Sequence, residues 1–137
     1  MKPSKKNTTF HLIEYWIQNA ERKWTTATHL FEKKDYSDCL FFCHLVLESL
    51  LKAIVTKHTR ETAPHIHHLG RLAEMSLLKT NSEMKKNLNI INTFNIRARY
   101  DDYKTSFHKR ATKGFTKKWF QTVNSIRLWL LKELQNN

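Results

Sequence analysis

An all-α fold, specifically an up-and-down bundle of four to five helices, is what this 137-residue sequence predicts, and three observations predict it. Two glycines and two prolines are too few for the many tight turns of an all-β chain. Apolar residues recur at alternating steps of three and four along three long stretches, the period of a helix face. Those steps form heptads, and helices packed along heptad seams cross at shallow angles, as in a bundle. A chain of this length fits one domain with a core of its own.

Residues 1–7 read as a disordered basic arm and residues 8–137 as the single helical domain. Thr8 or Thr9 is the expected cap of the first helix. Its seam runs through Phe10, Ile13, Ile17, Ala20, Trp24, Ala27 and Phe31. Lys33 and Lys34 close it, where positive charge meets the negative end of the helix dipole. Asp35 or Ser37 opens the second helix after almost no loop, so the first two helices form an antiparallel hairpin. Tyr36, Leu40, Cys43, Leu47, Leu50 and Ile54 draw the second seam, and Phe41, Phe42, Val46 and Leu51 widen it toward a belt. That helix should be central.

A polar connection from His58 to His68 contains Pro64, and Leu69 to Leu78 reads as a short third helix. Asn81 or Ser82 caps a fourth piece carrying Met84, Leu88, Ile91 and Phe94. Tyr100 to Gly114 is expected to be the longest irregular stretch. Thr116 then caps a last helix with the seam Trp119, Val123, Ile126, Leu130 and Leu134. No repeat, low-complexity tract or interdomain linker interrupts this order.

Composition also excludes chemistry. Without clustered glycines neither a P-loop nor a dinucleotide fingerprint can be built. Cys39 and Cys43, one turn apart on an apolar helix, suit core packing, and a reduced, cytoplasmic setting is expected. No unbroken apolar run of membrane-spanning length and no secretory leader is read, so no membrane association is expected. His58, His65, His67 and His68 lack the cysteine or carboxylate company a zinc site needs, so capping and loop roles are expected and no metal or cofactor. No serine or cysteine nucleophile has a supporting base.

The candidate site lies in the second helix. Glu48 and Lys52 stand one turn apart, and on an exposed face such a pair is commonplace. In a nearly all-apolar helix each charge needs a partner, which makes the pair a candidate polar site. His44 lies one turn earlier on the same stripe, although a neutral histidine packed in a bundle is its blander reading. Farther on, Arg97, Arg99, Asp101 and Asp102 could pair among themselves and fix a loop.

The chain carries a net charge of +12, and between Arg97 and Lys118 eight basic residues face two aspartates, which is half of that total. Lys104, Lys109, Arg110, Lys113, Lys117 and Lys118 either solvate a connection or form a surface for phosphate-bearing partners. Tyr100, Tyr103, Phe107, Phe115 and Trp119 are interleaved for stacking on bases in the second case.

Glu48, Lys52 and Ala53, followed by Pro64, His67 or His68 and Leu69, and then Arg99, Tyr100 and Asp102, follow an order that resembles the HEPN domain. The likeness runs from about Trp24 to the C-terminus. It implies a cleft in which Arg99, Tyr100 and Asp102 close over the Glu48 and Lys52 face, with Arg97 and His44 nearby, and a nucleotide or other phosphate-bearing ligand inside. Asp101 stands where the family commonly has proline. The resemblance also implies a homodimer, sometimes beside a small nucleotidyltransferase in a toxin–antitoxin-like pair.

Family members that act as ribonucleases carry an arginine followed after four to six residues by histidine. That motif is missing here at the expected place, because His108 comes too late after Arg99, and Arg60 with His65 or His67 lies in the wrong connection. A non-catalytic binding module is therefore the first expectation. An RNA-binding or RNA-cleaving protein is the second, with His108 or His67 in an unusual geometry if it cleaves. A scaffold that assembles through exposed aromatics is the third.

Overall fold

A computed structural model describes residues 5–96 and 101–136. Six helices follow one another, and no strand occurs among the described residues: α1 (Lys5–Glu32), α2 (Tyr36–Thr59), α3 (Leu69–Met75), α4 (Ser82–Asn92), α5 (Asp101–Arg110) and α6 (Lys113–Gln135). The bundle thus has one helix more than the sequence predicts. α2 packs against all five others. Its Leu40, Cys43, Leu47, Leu50 and Ile54 are buried, as the seam requires, and so are Cys39, Val46, Leu51 and Val55. By length and composition α2 is apolar enough to cross a membrane, which the sequence reading did not anticipate. Here 83 % of the relevant window is buried inside the protein, which accounts for that apolarity without a bilayer.

The α1–α2 hairpin closes within three residues. Lys34 adopts a left-handed φ of 67°. Its N–H donates to the Phe31 carbonyl at 3.0 Å and the Asp35 N–H donates to the Leu30 carbonyl at 2.9 Å. These two bonds satisfy the carbonyls that the end of α1 leaves unpaired and reverse the chain at once. Ala20 and Ala27, 3 % and 0 % exposed, lie on the α1 seam, where their small side chains allow close approach. Phe10, at the start of the predicted seam, is exposed instead.

α1 begins at Lys5, upstream of the expected cap, so residues 5–7 of the predicted arm are helical and residues 1–4 lie outside the described residues. Thr9 does not cap: it is buried, and its hydroxyl donates to the Arg60 carbonyl at the end of α2. α3 stops at Met75 rather than Leu78. The buried Ser76 hydroxyl donates to the Ala73 carbonyl at 2.6 Å, and Leu77 turns left-handed with its side chain in solvent. α4 is capped by Asn81, whose Oδ1 accepts the Met84 N–H at 2.8 Å.

The largest departure lies between Tyr100 and Gly114, expected to be irregular and found to contain α5. Asp101 and Asp102 open that helix and His108, Lys109 and Arg110 close it, both favourable to the dipole. Phe107 is buried against Phe94, and the Tyr103 hydroxyl donates to the Thr93 carbonyl at 2.9 Å. α6 consequently starts earlier, capped by Thr112 and not Thr116; the Thr112 hydroxyl accepts the Phe115 N–H, while Thr116 is buried within the first turns. Its seam holds: Trp119, Val123, Ile126 and Leu130 are buried.

Candidate functional site

The α2 helix places His44, Glu48 and Lys52 on one stripe, and all three are buried, at 0 %, 8 % and 5 % exposure. Lys52 Nζ donates to Glu48 Oε2 at 3.3 Å. The other carboxylate oxygen accepts from His67 Nδ1 at 3.1 Å. A buried carboxylate held by two donors meets the requirement that charge inside a protein be both paired and hydrogen-bonded. The α1 helix roofs the pair: Lys52 Nζ lies 5.1 Å from the centre of the Trp16 ring, and Asn19 donates to Ser49 at 2.7 Å.

His44 anchors the connection before α3. Its Nε2 meets the carbonyl of His67 at 3.2 Å, and since a carbonyl only accepts, the proton sits on Nε2. Nδ1 is then unprotonated, has no hydrogen-bond partner, and stands 3.9 Å from Glu48 Oε1. Burial lowers the His44 pKa from 6.5 to about 4, against the raising influences of Glu48, the His67 carbonyl and the Asn92 side chain. Asn92 also accepts the Leu69 N–H at 3.1 Å, so the end of α4 holds the start of α3 beside this histidine. The site is therefore tied to α1, α2, α4 and the loop before α3, with His67 leading outward at 60 % side-chain exposure.

The family model for the HEPN domain matches residues 13–134. The chain belongs to the HEPN domain family. Neither curated proteins nor solved structures gave a match to it.

Of the other predicted cleft residues of this HEPN domain, only Asp102 lies among the described residues. Asp102 is exposed in the first turn of α5, and none of the hydrogen bonds or ion pairs of Glu48 and Lys52 reaches it. Arg97, Arg99 and Tyr100 lie outside the described residues. His67, for which the sequence predicts a loop or capping role, is a direct partner of Glu48. Its only signal in the sequence was its place in the proline–histidine–leucine turn. His68 does cap, accepting the Arg71 N–H at Nδ1.

Lys104, Lys109, Arg110, Lys113, Lys117 and Lys118 are all exposed on α5 and the first turns of α6. Among the described residues the aromatic side chains between them do not form an exposed stacking platform. Phe107 and Trp119 are buried, Phe115 is half-buried against Phe94, and Tyr103 is half-buried against Phe107. Their faces are used by the protein's own cations: the Arg110 guanidinium lies 5.7 Å from both Phe107 and Phe115, and Lys118 lies 5.3 Å from Trp119. The period that suggested stacking on bases is the core period of α5 and α6.

His108 Nδ1 is 3.2 Å from the Ser37 hydroxyl, which links α5 to the start of α2. Among the described residues no three metal-ligating side chains stand close enough to hold an ion. Cys39 and Cys43 are buried and free; the Cys43 thiol is pushed up by its hydrogen bond with Cys39 and then by burial, away from the reactive thiolate.

Proposed function

We propose that this HEPN domain is a binding module for a nucleotide or another phosphate-bearing ligand, taken up beside Lys52 and Trp16, and that it does no chemistry itself. The observation that supports this most is a surplus of buried donors. Lys52 carries three ammonium protons, and its ion pair with Glu48 uses one of them. The indole Nε1–H of Trp16, the ring that faces Lys52, is buried without an acceptor. Phosphate oxygens are the acceptors such a pair would take. Glu48 does not contact the anion in this reading: Lys52 and His67 share its charge, and it holds both donors in place.

Family membership supports the same ligand class, and on that ground a homodimer and a partnership with a small nucleotidyltransferase belong to the proposal. Thermal unfolding with a panel of nucleotides tests the ligand. A nucleotide at 100 times its Kd should add about 2.7 kcal/mol to the wild type. The increment should shrink in Trp16→Phe, which keeps the ring and removes the donor. No stabilisation of the wild type by any nucleotide sinks the reading.

The six exposed cations from Lys104 to Lys118 favour a second reading, RNA binding across α5 and the start of α6. Affinity of that kind falls steeply with salt, in proportion to the phosphates neutralised. Incubation with labelled RNA at two ionic strengths checks it, and intact RNA after incubation with wild-type protein separates binding from cleavage.

A further inference from the structure

A cleft of about 820 Å3 opens between α3 and α4, and none of the side chains of the buried α2 stripe lines it. Its floor is apolar: Ala73 and Leu88 are buried and Leu78 is half-buried. Its rim is cationic, with Arg71, Lys79 and Lys85 exposed around it and Glu74 as the one lining carboxylate.

The helix caps decide what the remaining polar groups offer. His68 Nδ1 accepts the Arg71 N–H at 3.2 Å, so the proton of the neutral ring sits on Nε2 and the ring presents a donor. Asn81 Oδ1 accepts the Met84 N–H at 2.8 Å, which leaves its NH2 group. Capping therefore consumes acceptors on both sides of the cleft and leaves donors.

Gly70 adds a spatial condition. Glycine in a helix costs about 1 kcal/mol relative to alanine, yet it occupies the first turn of α3. A Cβ there would come 3.1 Å from His68 Cε1, so a side chain at this position would require the capping ring on the cleft wall to move by a few tenths of an ångström.

We infer that this cleft binds a small phosphate ester, with the phosphate held by Arg71 and Lys85 and the rest of the molecule over Ala73, Leu78 and Leu88. Cations outnumber carboxylates on its walls, the two capping side chains keep donors rather than acceptors free, and the volume falls in the range of about 300–1,000 Å3 common to small-molecule sites. Nucleoside monophosphates and sugar phosphates share this chemistry. The inference does not rest on the Lys52 and Trp16 reading.

Calorimetric titration of the full chain with AMP, ribose 5-phosphate and a short single-stranded RNA tests it. AMP or ribose 5-phosphate should bind the wild type, and each of Arg71→Gln and Lys85→Gln should weaken that binding roughly tenfold, the worth of one charge-assisted hydrogen bond. Both side chains are exposed, and circular dichroism of each variant confirms an unchanged fold. Tighter binding of AMP than of ribose 5-phosphate identifies the nucleotide source; equal binding identifies the sugar phosphate. The binding that belongs to this cleft is the component lost in the Arg71→Gln/Lys85→Gln pair and kept in Trp16→Phe. Binding of both esters undiminished by the Arg71→Gln/Lys85→Gln pair overturns the inference, as does binding lost in Trp16→Phe alone, which assigns the ligand to the α2 site. Absence of binding by both esters, or binding of the RNA alone, also overturns it.

Discussion

Glu48 Oε1 stands 3.1 Å from His67 Nδ1, which pins the loop before α3 to the middle of the central helix. Lys52 holds the other carboxylate oxygen at 3.3 Å, so one buried acid organises two partners of very different exposure: Lys52 is 6 % exposed in its side chain and His67 60 %.

That asymmetry sets the cost of removing each partner. Lys52→Met strands a buried carboxylate and should cost about 3–5 kcal/mol. His67→Ala removes a partner that water can replace and should cost at most about 1 kcal/mol. The pair Glu48→Gln/Lys52→Met should recover most of the Lys52→Met loss, because no unpaired charge remains. Urea unfolding of the singles and the double closes the cycle, and additive losses would contradict the buried pairing.

His44 makes stability depend on pH with a definite sign. Its pKa is lowered from 6.5 to about 4 in the fold. Between those values the unfolded chain binds a proton that the folded chain refuses, so stability falls as pH drops through the window. Above about pH 6.5 this contribution is level. The full effect is on the order of 3 kcal/mol. Midpoints of urea unfolding from pH 7 to pH 4 should show the slope in wild type and a reduced slope in His44→Leu, the difference isolating this group from Glu48 and His67.

What the sequence made legible, and what it did not, follows from the length of each pattern. Seams in α2 and α6 repeat over many turns, so Leu47 or Val123 could be placed on a buried face by spacing alone. α5 buries only Phe107 fully, with Tyr103 stacked on it one turn before, and one such pair is too short to stand out from a charged run. The Glu48 and Lys52 pairing is local, four residues apart, and spacing brings it together. The bond to His67 spans 19 residues and depends on how the loop folds back, which no local period encodes. Phe107 and Trp119 misled for a related reason: aromatic residues between lysines look alike whether they face a partner or the core.

Thr112 and Thr116 offer a direct test of where α6 begins. The Thr112 hydroxyl accepts the Phe115 N–H, so Thr112→Ala should cost about 1 kcal/mol. Thr116 is fully buried and its hydroxyl has no hydrogen-bond partner. Thr116→Val keeps the shape and removes an unsatisfied polar group, and it should be neutral or stabilising. Melting temperatures of the two variants should move in opposite directions or differ clearly; a larger loss for Thr116→Val would put the helix start back at the later threonine.

Lys34 carries the backbone strain of the α1–α2 turn. A side chain at φ 67° brings Cβ close to the following carbonyl, a cost of about 1–2 kcal/mol that glycine escapes. Glycine returns part of this through the larger entropy of its unfolded chain, about 0.5–1 kcal/mol. It also gives up a cation at the end of α1, though Lys33 remains next to it and that end of the helix is exposed. The balance favours Lys34→Gly by about 0.5 kcal/mol, read as a small rise in melting temperature. Lys34→Ala keeps the Cβ and should not rise. A gain in both variants would mean that the lysine's charge, and not its backbone, is what the turn tolerates poorly.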